Sequence, residues 1–380
     1  MNGAPSLRVL MLSKACIVGI YQRKLELIAA GGVELLTLVP PSWRDERGET
    51  VLERVYTAGY RLETLPIARN GDYHLHYYPD LGGRVRAFQP HIVHIDEEPY
   101  NAAAWQALYH ARRIGAKTLF FSWQNILRRY PPPFSWGERC VLTHADAAIC
   151  GTESAAKVWR AKGFARAIAV IPQFGTEPSL FKPAPRPDRP FTVGYFGRMV
   201  EEKGVGVLLE AFAKLGGEAR LILLGGGTLR DHLRRRAAQL GIADRVEWRE
   251  QVPSTAMPSQ YHDIDALTLP SLTRPNWKEQ FGRVLVEAMF SGVPVIGSDS
   301  GAIPDVIGDA GLIVPEGDAA ALAAALRRLR DEPGLAAALV ERGLARARDR
   351  FTHERVAAET LTVYREMMQQ DVAGLPSMIP

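Results

Sequence analysis

The run KEQFGRVLVEAMFSGVPVIGSDSG, residues 278–301, carries two glutamates eight positions apart, Glu279 and Glu287. A carboxylate accepts two hydrogen bonds from neighbouring hydroxyls, which is how proteins commonly hold sugars and riboses. If a helix starts near Phe281 and Gly282, Glu279 lies in the loop before it and Glu287 about one and a half turns inside. Eight residues of helix span roughly 12 Å, about the length separating a hexose hydroxyl from the ribose across a diphosphate. The first-turn amides of Phe281, Gly282 and Arg283 would add donors for polar sugar or phosphate atoms. The plainer reading makes Glu279 a partner of the helix dipole and leaves Glu287 facing solvent. RVLVEAMFSGVPVI is apolar nearly all round, however, so a charge at Glu287 needs a partner.

A second constellation is GYFGRMVEEKGVGVLLEAF, residues 194–212. A buried strand ends at Phe196–Gly197 and a helix begins near Gly204, with Arg198 and Lys203 between them. Glycine lets a backbone approach a ligand closely, and a helix start supplies amide donors and a positive dipole end. Arg as a bidentate fork and Lys as a point charge suit a diphosphate. A tight turn with solvent-facing charges is the alternative.

The elements that must hold these residues alternate in kind. LRVLML (7–12), VELLTLVP (33–40), HIVHI (91–95), AKTLFFS (116–122) and DAAICG (146–151) read as buried strands. YQRKLELIAA and NAAAWQALYHARRIG read as the helices between them. PAPRPDRP, residues 183–190, has four prolines and reads as an extended connector. The alternation then restarts with FTVGYFG and runs to GLIVP, followed by the amphipathic AAALAAALRRLRDE and HERVAAETLTVYREMMQQ. Strand and helix in repetition predict parallel sheets covered on both faces, with ligands beyond the strand C-termini. Two such units offer a cleft between them. The predicted division is 1–184 and 185–355, with a final helix, about 356–380, packing back on the first domain.

Composition is that of a globular protein with 47% apolar and 23% charged residues, and no apolar run reaches the length of a membrane helix. The N-terminus meets a Ser-Lys break soon after its first apolar run and reads as a strand, not a signal peptide. Cys16, Cys140 and Cys150 lack metal-type spacing and read as small buried hydrophobes, which fits a reducing cytoplasm. His74, His76, His94 and His144 form no ligand-spaced group. The net charge of +4 is uneven, since residues 107–166 hold 10 Lys+Arg against 3 Asp+Glu. A region that basic suits an anionic acceptor, an anionic lipid or simply a solvated face. No nucleic-acid-binding module accompanies it. NILRRYPPPFSWGER, residues 125–139, mixes arginines and aromatics around three prolines and reads as a surface loop.

EQFGRVLVEAMFSGVPVIGSDSGAIPDVIGDAGLIV resembles the signature of glycosyltransferase family 4, the retaining GT-B enzymes that use nucleotide-sugar donors. GYFGRMVEEKG is similar to that family's phosphate loop, LILLGGGTLRDHLRRRAAQLGIADRVEW to its following strand–helix–strand, and VIPQFGTEPSLFKP to its interdomain segment. The resemblance implies an α/β GT-B fold, two doubly wound Rossmann-like domains facing across a cleft. It also implies retaining transfer of a hexose-type sugar from a nucleotide-diphosphate donor to a hydroxyl on a glycan, glycolipid or small glycoside. Glu279 would touch the donor sugar and Glu287 the ribose. Arg198 and Lys203 would hold the diphosphate and assist its departure. Gly197, Gln280, Phe281, Gly282 and Arg283 would complete the donor site, with Gln251 and Val252 facing the base. No metal or cofactor is implied. Asp263-Ile-Asp265 mimics the metal-binding pattern of other glycosyltransferases but reads as a helix end entering a strand.

The first half departs from the family pattern. SKACIVGIYQ offers only Gly19 where a glycine pair is usual, and Gly19 and Lys14 would reach the phosphates or the acceptor. Trp123-Gln124-Asn125 stands where many members place a histidine. Gln124 or Asn125 would accept the sugar-hydroxyl bond, while Trp123 would stack or merely pack. Glu97 or Glu98, in HIDEEP, would bind acceptor hydroxyls or cap a helix. These departures leave a second reading open, a catalytically silent nucleotide-sugar-binding partner. The expected setting is cytoplasmic, with the basic region as the feature that would make peripheral contact with an anionic inner membrane face.

Overall fold

The computed structural model describes residues 6–45, 48–186, 188–253 and 256–369. They form two compact units, the first running to Gly175 and resuming at His353, the second spanning Thr176–Thr352.

In the first unit β1 (Leu7–Leu12), α1 (Arg23–Ala30) and β2 (Val33–Val39) lead to a short hairpin of β3 (Ser42–Asp45) and β4 (Gly48–Val51). There follow β5 (Arg61–Thr64), α2 (Leu81–Phe88), β6 (Ile92–Ile95), α3 (Ala102–Arg113) and β7 (Lys117–Ser122). The set continues with α4 (Phe134–His144), β8 (Ala147–Cys150), α5 (Glu153–Ala161) and β9 (Ala167–Val170). The main strands pair in the order β5-β2-β1-β6-β7-β8-β9, all parallel.

Strand β1 shows why the fold reads as doubly wound. Its side chains alternate, Val9 and Met11 entering one hydrophobic cluster and Leu10 and Leu12 the other. Both faces of the sheet are therefore covered, which is why its strands are near-continuous apolar runs.

The second unit comprises β10 (Thr192–Phe196), α6 (Val205–Leu215), β11 (Arg220–Leu224), α7 (Arg230–Gln239), β12 (Val246–Arg249) and α8 (Met257–Tyr261). It continues with β13 (Ala266–Leu269), α9 (Arg283–Phe290), β14 (Val295–Ser298), α10 (Ile303–Ile307), β15 (Gly311–Val314), α11 (Ala319–Asp331) and α12 (Pro333–Arg350). Its parallel sheet has the order β12-β11-β10-β13-β14-β15. In each sheet the strand order reverses beside the first strand, between β1 and β6 and between β10 and β13. Such a reversal parts the flanking loops and opens a crevice at the strand C-termini.

The chain then ends, among the described residues, in α13 (His353–Gln369), which belongs to the first unit and packs on α1. Tyr364 anchors it, its hydroxyl lying 2.7 Å from His94 Nδ1. Burial, with Lys24 adding to it against Asp96, lowers the His94 pKa to about 3, so the imidazole is neutral. Burial raises the Tyr364 phenol well above its ordinary range, so the hydroxyl donates and the imidazole accepts. Lys117 Nζ donates to the Met367 carbonyl nearby.

Three features differ from the sequence expectation. The units divide at Gly175 and Thr352, not at residues 184 and 355, and the proline run 183–190 lies inside the second unit. Chain-to-chain contact decides that division: Thr176 bridges Thr352, and the Thr176 amide donates to the Phe351 carbonyl at 2.7 Å. The final helix begins at His353, and residues 370–380 of the expected helix lie outside the described residues. The surface loop expected over 125–139 holds only to Pro133, where α4 begins with that proline as its N-cap. A proline beside a helix start removes a donor that has no intrahelical partner anyway.

Tyr364→Phe should cost about 1 kcal/mol through the lost hydrogen bond, and Tyr364→Ala about 3–5 kcal/mol through the cavity. Urea titration followed by circular dichroism reads both, and a Tyr364→Phe variant as stable as the parent would show that packing alone holds α13.

Candidate active site

The crevice residues of the second unit come from loops that follow β10, β11, β13 and β14. After β10, Glu201–Lys203 form a short 3-10 turn that Gly204 ends at φ 66°, and α6 starts at Val205. An added Cβ on Gly204 would lie 1.9 Å from the Pro270 carbonyl oxygen, so glycine is what lets the β10 and β13 loops touch. The touching loops bring Lys203 to Glu279, 2.6 Å from Nζ to Oε2. Ser271 Oγ donates to the same carboxylate oxygen at 2.9 Å, and the Trp277 ring centroid lies 4.9 Å from the ammonium.

Glu279 is buried, 7% exposed, and its charge is compensated by that lysine. An ammonium has three donors, and the Glu279 contact uses one of them. Arg198 is exposed and 3.6 Å from Glu202, while its carbonyl accepts the Tyr195 hydroxyl at 2.6 Å. That bond pins the loop just past Gly197.

The expected helix starts at Arg283, one residue past Gly282, which adopts φ 77°. Glu279 thus lies in the preceding loop, its carbonyl accepting the Ala302 amide at 3.0 Å. Gln280 is exposed and Phe281 half-buried, its ring 5.7 Å from that of Phe351. Glu287 is buried at 2% exposure and does have partners. Arg283 Nε donates to its Oε1 at 2.6 Å and the Tyr261 hydroxyl to its Oε2 at 2.7 Å. Burial and the adjacent carboxylate hold the Tyr261 phenol protonated, well above its ordinary range. Gln251 is exposed and Val252 half-buried, next to Glu250, whose carboxylate pairs with Arg230 at 2.5 Å.

Ser271, Trp277 and Tyr261 are members that spacing alone does not reveal. The first two stand in the loop between β13 and α9, in the stretch where strand C-termini place ligands, which is the signal that could have found them. Glycines 225 and 227 also acquire a purpose. Added Cβ atoms there would lie 2.2 Å from the Gly197 carbonyl oxygen and 2.4 Å from that of Met199. GGGTLRDHL therefore shapes the β10 loop by close approach.

The first unit repeats the arrangement at its own reversal. Ser13 and Lys14 follow β1; Asp96, Glu97 and Glu98 follow β6. Ser13 Oγ donates to Asp96 at 2.5 Å, and Lys14 Nζ pairs with Glu97, so both bridges span the gap between the two strands. Asp96 also takes the Gln173 amide at 2.9 Å and lies 3.9 Å from Lys24. Glu97 further accepts from Asn101 at 3.0 Å. Burial opposes its charge, but Lys14 and His76 prevail and its pKa falls to about 2.

Glu98 takes the Ser122 hydroxyl at 2.6 Å and the Trp123 amide at 2.8 Å. Burial outweighs those bonds and pushes its pKa up to about 7. It caps the end of β7, not a helix. Gly19 is buried under Val55, its amide donating to Glu53 at 2.6 Å. Trp123 packs on Gly151 and donates from Nε1 to Gln173 at 2.8 Å. Gln124 donates from Nε2 to the Ile126 carbonyl at 2.9 Å, and its buried Oε1 has no partner among the described residues. Asn125 is buried beside it.

Among the described residues no three His, Cys, Asp or Glu side chains group as metal ligands. Asp265 instead takes Arg189 at 2.8 Å and the Thr192 amide at 2.7 Å, and Asp263 takes Arg249 at 2.6 Å. Cys140 is exposed, contrary to expectation, whereas Cys16 and Cys150 are buried.

Two parallel-sheet units, each with a reversal that gathers charged residues, make this an α/β protein of the GT-B class. Residues 177–346 match the family model "Glycosyl transferases group 1" and residues 22–173 the model "Glycosyl transferase 4-like domain". The chain belongs to the glycosyltransferases of family 4 type. It is 31% identical over 265 residues to D-inositol 3-phosphate glycosyltransferase of Mycobacterium marinum, matching 64% of this chain and 55% of that protein. The chain thus spans about half the length of the curated relatives it matches. Among solved structures it resembles sucrose-phosphate synthase of Thermosynechococcus elongatus, with TM-score 0.71, 22% identity, and 96% and 100% of the two chains covered. It also resembles the HepE protein of Anabaena in complex with UDP and glucose, with TM-score 0.65, 16% identity, and 97% and 100% covered. At those identities the likeness shows the fold.

Two predictions follow from these contacts. Gly225→Ala should lower stability by about 2 kcal/mol or more, since φ 128° and a Cβ against a carbonyl are both unfavourable; calorimetry reads it as a lower melting temperature. Glu98 binds its proton more tightly folded than unfolded, so its contribution is full below the ordinary carboxylate range and is lost as pH rises through about 7. Melting temperatures between pH 5 and pH 8 should therefore fall less steeply in Glu98→Gln than in the parent, and parallel curves would refute the shift.

Proposed function

We propose that this protein is a retaining glycosyltransferase that moves a hexose-type sugar from a nucleotide-diphosphate donor to a hydroxyl acceptor, a glycan or lipid-linked glycoside. The observation that carries this reading is the Lys203–Glu279 pair spanning the β10/β13 reversal, with Ser271 on the same carboxylate. It puts a cation and a hydroxyl-binding carboxylate side by side, where a diphosphate and a sugar ring meet.

In this reading Glu279 orients the donor sugar through its hydroxyls, while Lys203 uses its remaining donors on the diphosphate. Arg198, exposed on the same loop, adds a second cation. As the bond from sugar carbon to phosphate oxygen breaks, negative charge grows on the leaving diphosphate. Fixed cations at that point lower the barrier most, because they need no reorganisation. The acceptor oxygen then bonds to the same carbon on the face the phosphate leaves, and its proton passes to the departing phosphate oxygen. No water or metal is consumed. Glu287, held by Arg283 and Tyr261, takes the ribose, and the β12 loop with Gln251 and Val252 faces the base. The acceptor lies at the β1/β6 reversal of the first unit, where Glu98, Gln124 and Asn125 supply polar groups.

Incubation with UDP-, GDP- and ADP-sugars should raise the melting temperature for one base class, because a ligand that binds only the folded state stabilises it by mass action. With that donor, Lys203→Ala and Glu279→Ala should each cut sugar transfer by about 100-fold or more. Unchanged transfer in both would remove the assignment. Donor hydrolysis without acceptor separates this reading from a silent binding partner, which would raise the melting temperature yet hydrolyse nothing.

A further inference from the structure

The first unit carries a surface that the transfer chemistry does not use. Residues 126–143, the loop before α4 and most of α4 itself, hold three arginines and a single acid, Glu138. That acid is buried and taken up by Lys162 at 2.5 Å. The exposed charge of the stretch is therefore entirely positive, carried by Arg128, Arg129 and Arg139.

Large apolar side chains stand out of the same surface. Trp136 is 69% exposed and Leu127 58%, with three exposed prolines between them. Trp136, Arg139, Cys140 and Thr143 follow the three- and four-residue spacing of one helix face, and all are exposed. The opposite face fixes the helix. Gly137 lies so close to the Trp105 ring that an added Cβ would sit 2.0 Å from it, and Val141 is fully buried. The outward stripe is thus held rigidly, not presented on a floppy loop.

We propose that this face docks on an anionic lipid bilayer. Tryptophan prefers the headgroup level, where its ring is apolar and its N–H stays wet. Leucine at the loop tip enters the acyl boundary, and arginines keep their heads among lipid phosphates while their stems lie along the apolar layer. Each arginine near an anionic surface adds to the attraction, and no exposed acid in the stretch opposes it. An acidic protein partner would be served by the charge alone and would leave Trp136 and Leu127 unexplained. A nucleic acid would be served by charge and ring stacking, but not by a leucine beside a proline run.

This inference stands apart from the transferase reading, because lipid binding is measured without turnover. The full chain is sedimented with vesicles of phosphatidylcholine alone and of phosphatidylcholine with phosphatidylglycerol, at low and high salt. Binding should appear on the anionic vesicles only and weaken as salt rises. Leu127→Ser with Trp136→Ser, and separately Arg129→Glu with Arg139→Glu, should each weaken partitioning about tenfold or more. All four positions are exposed, so the variants should melt at the parent temperature. Absence of binding to anionic vesicles overturns the proposal. So does equal binding to neutral ones, or binding that both double variants retain in full. Capture by single-stranded oligonucleotide in place of vesicles, lost in the same variants, would reassign the face to nucleic acid.

Discussion

A parallel sheet buried on both faces leaves little room for charge except beyond the ends of its strands. That constraint organises both units of this protein. Their strands are apolar on each side, and in each unit charged side chains from separate loops meet where the strand order reverses. At each reversal a residue from the loop after the first strand meets a residue from the loop after the fourth. In the second unit the meeting is Lys203 with Glu279; in the first it is Lys14 with Glu97 and Ser13 with Asp96. A buried carboxylate without such a partner would be protonated or displaced. Glu98, which has hydroxyl and amide partners but no paired lysine, is shifted toward the first outcome, burial pushing its pKa up to about 7.

The close packing around the Lys203–Glu279 pair is as demanding as the pair itself. Gly204 against the Pro270 carbonyl, Gly225 and Gly227 against the β10 loop, and Gly301 against the Glu279 backbone let four loops converge within van der Waals distance. Helix α12 supports the arrangement from behind, placing Gly343 over Met289 on the helix that carries Glu287. The glycines and the charges are thus one device. The former bring backbones together so that the latter can reach.

Much of this was legible in the sequence for identifiable reasons. Glu287 in an apolar helix signals a partnered charge, and the strand-turn-helix pattern around Gly197 and Gly204 places Arg198 and Lys203 at a crevice. What stays hidden is pairing across long separations. Nothing in periodicity says that Tyr261, at the end of a five-residue helix, reaches Glu287, or that Ser271 shares a carboxylate with Lys203. Helix α12 is masked by its own Pro333, Gly334 and Gly343, and α4 by the prolines before it. The unit boundary is hidden for a different reason: composition marks where a chain is extended, whereas contacts decide where a unit ends. Pro183, Pro185 and Pro190 belong to the second unit, with Pro183 packed beside Gly292.

The bridge between Thr176 and Thr352 has a topological meaning. The second unit begins and ends at neighbouring residues, so it is an insertion into the first, like a bead whose thread enters and leaves by one hole. An insert with adjoining ends can be removed, replaced or recombined without rerouting the host chain. The half that carries Lys203 and Glu279 is therefore a transplantable module: 176–352 could be exchanged between relatives as a cassette.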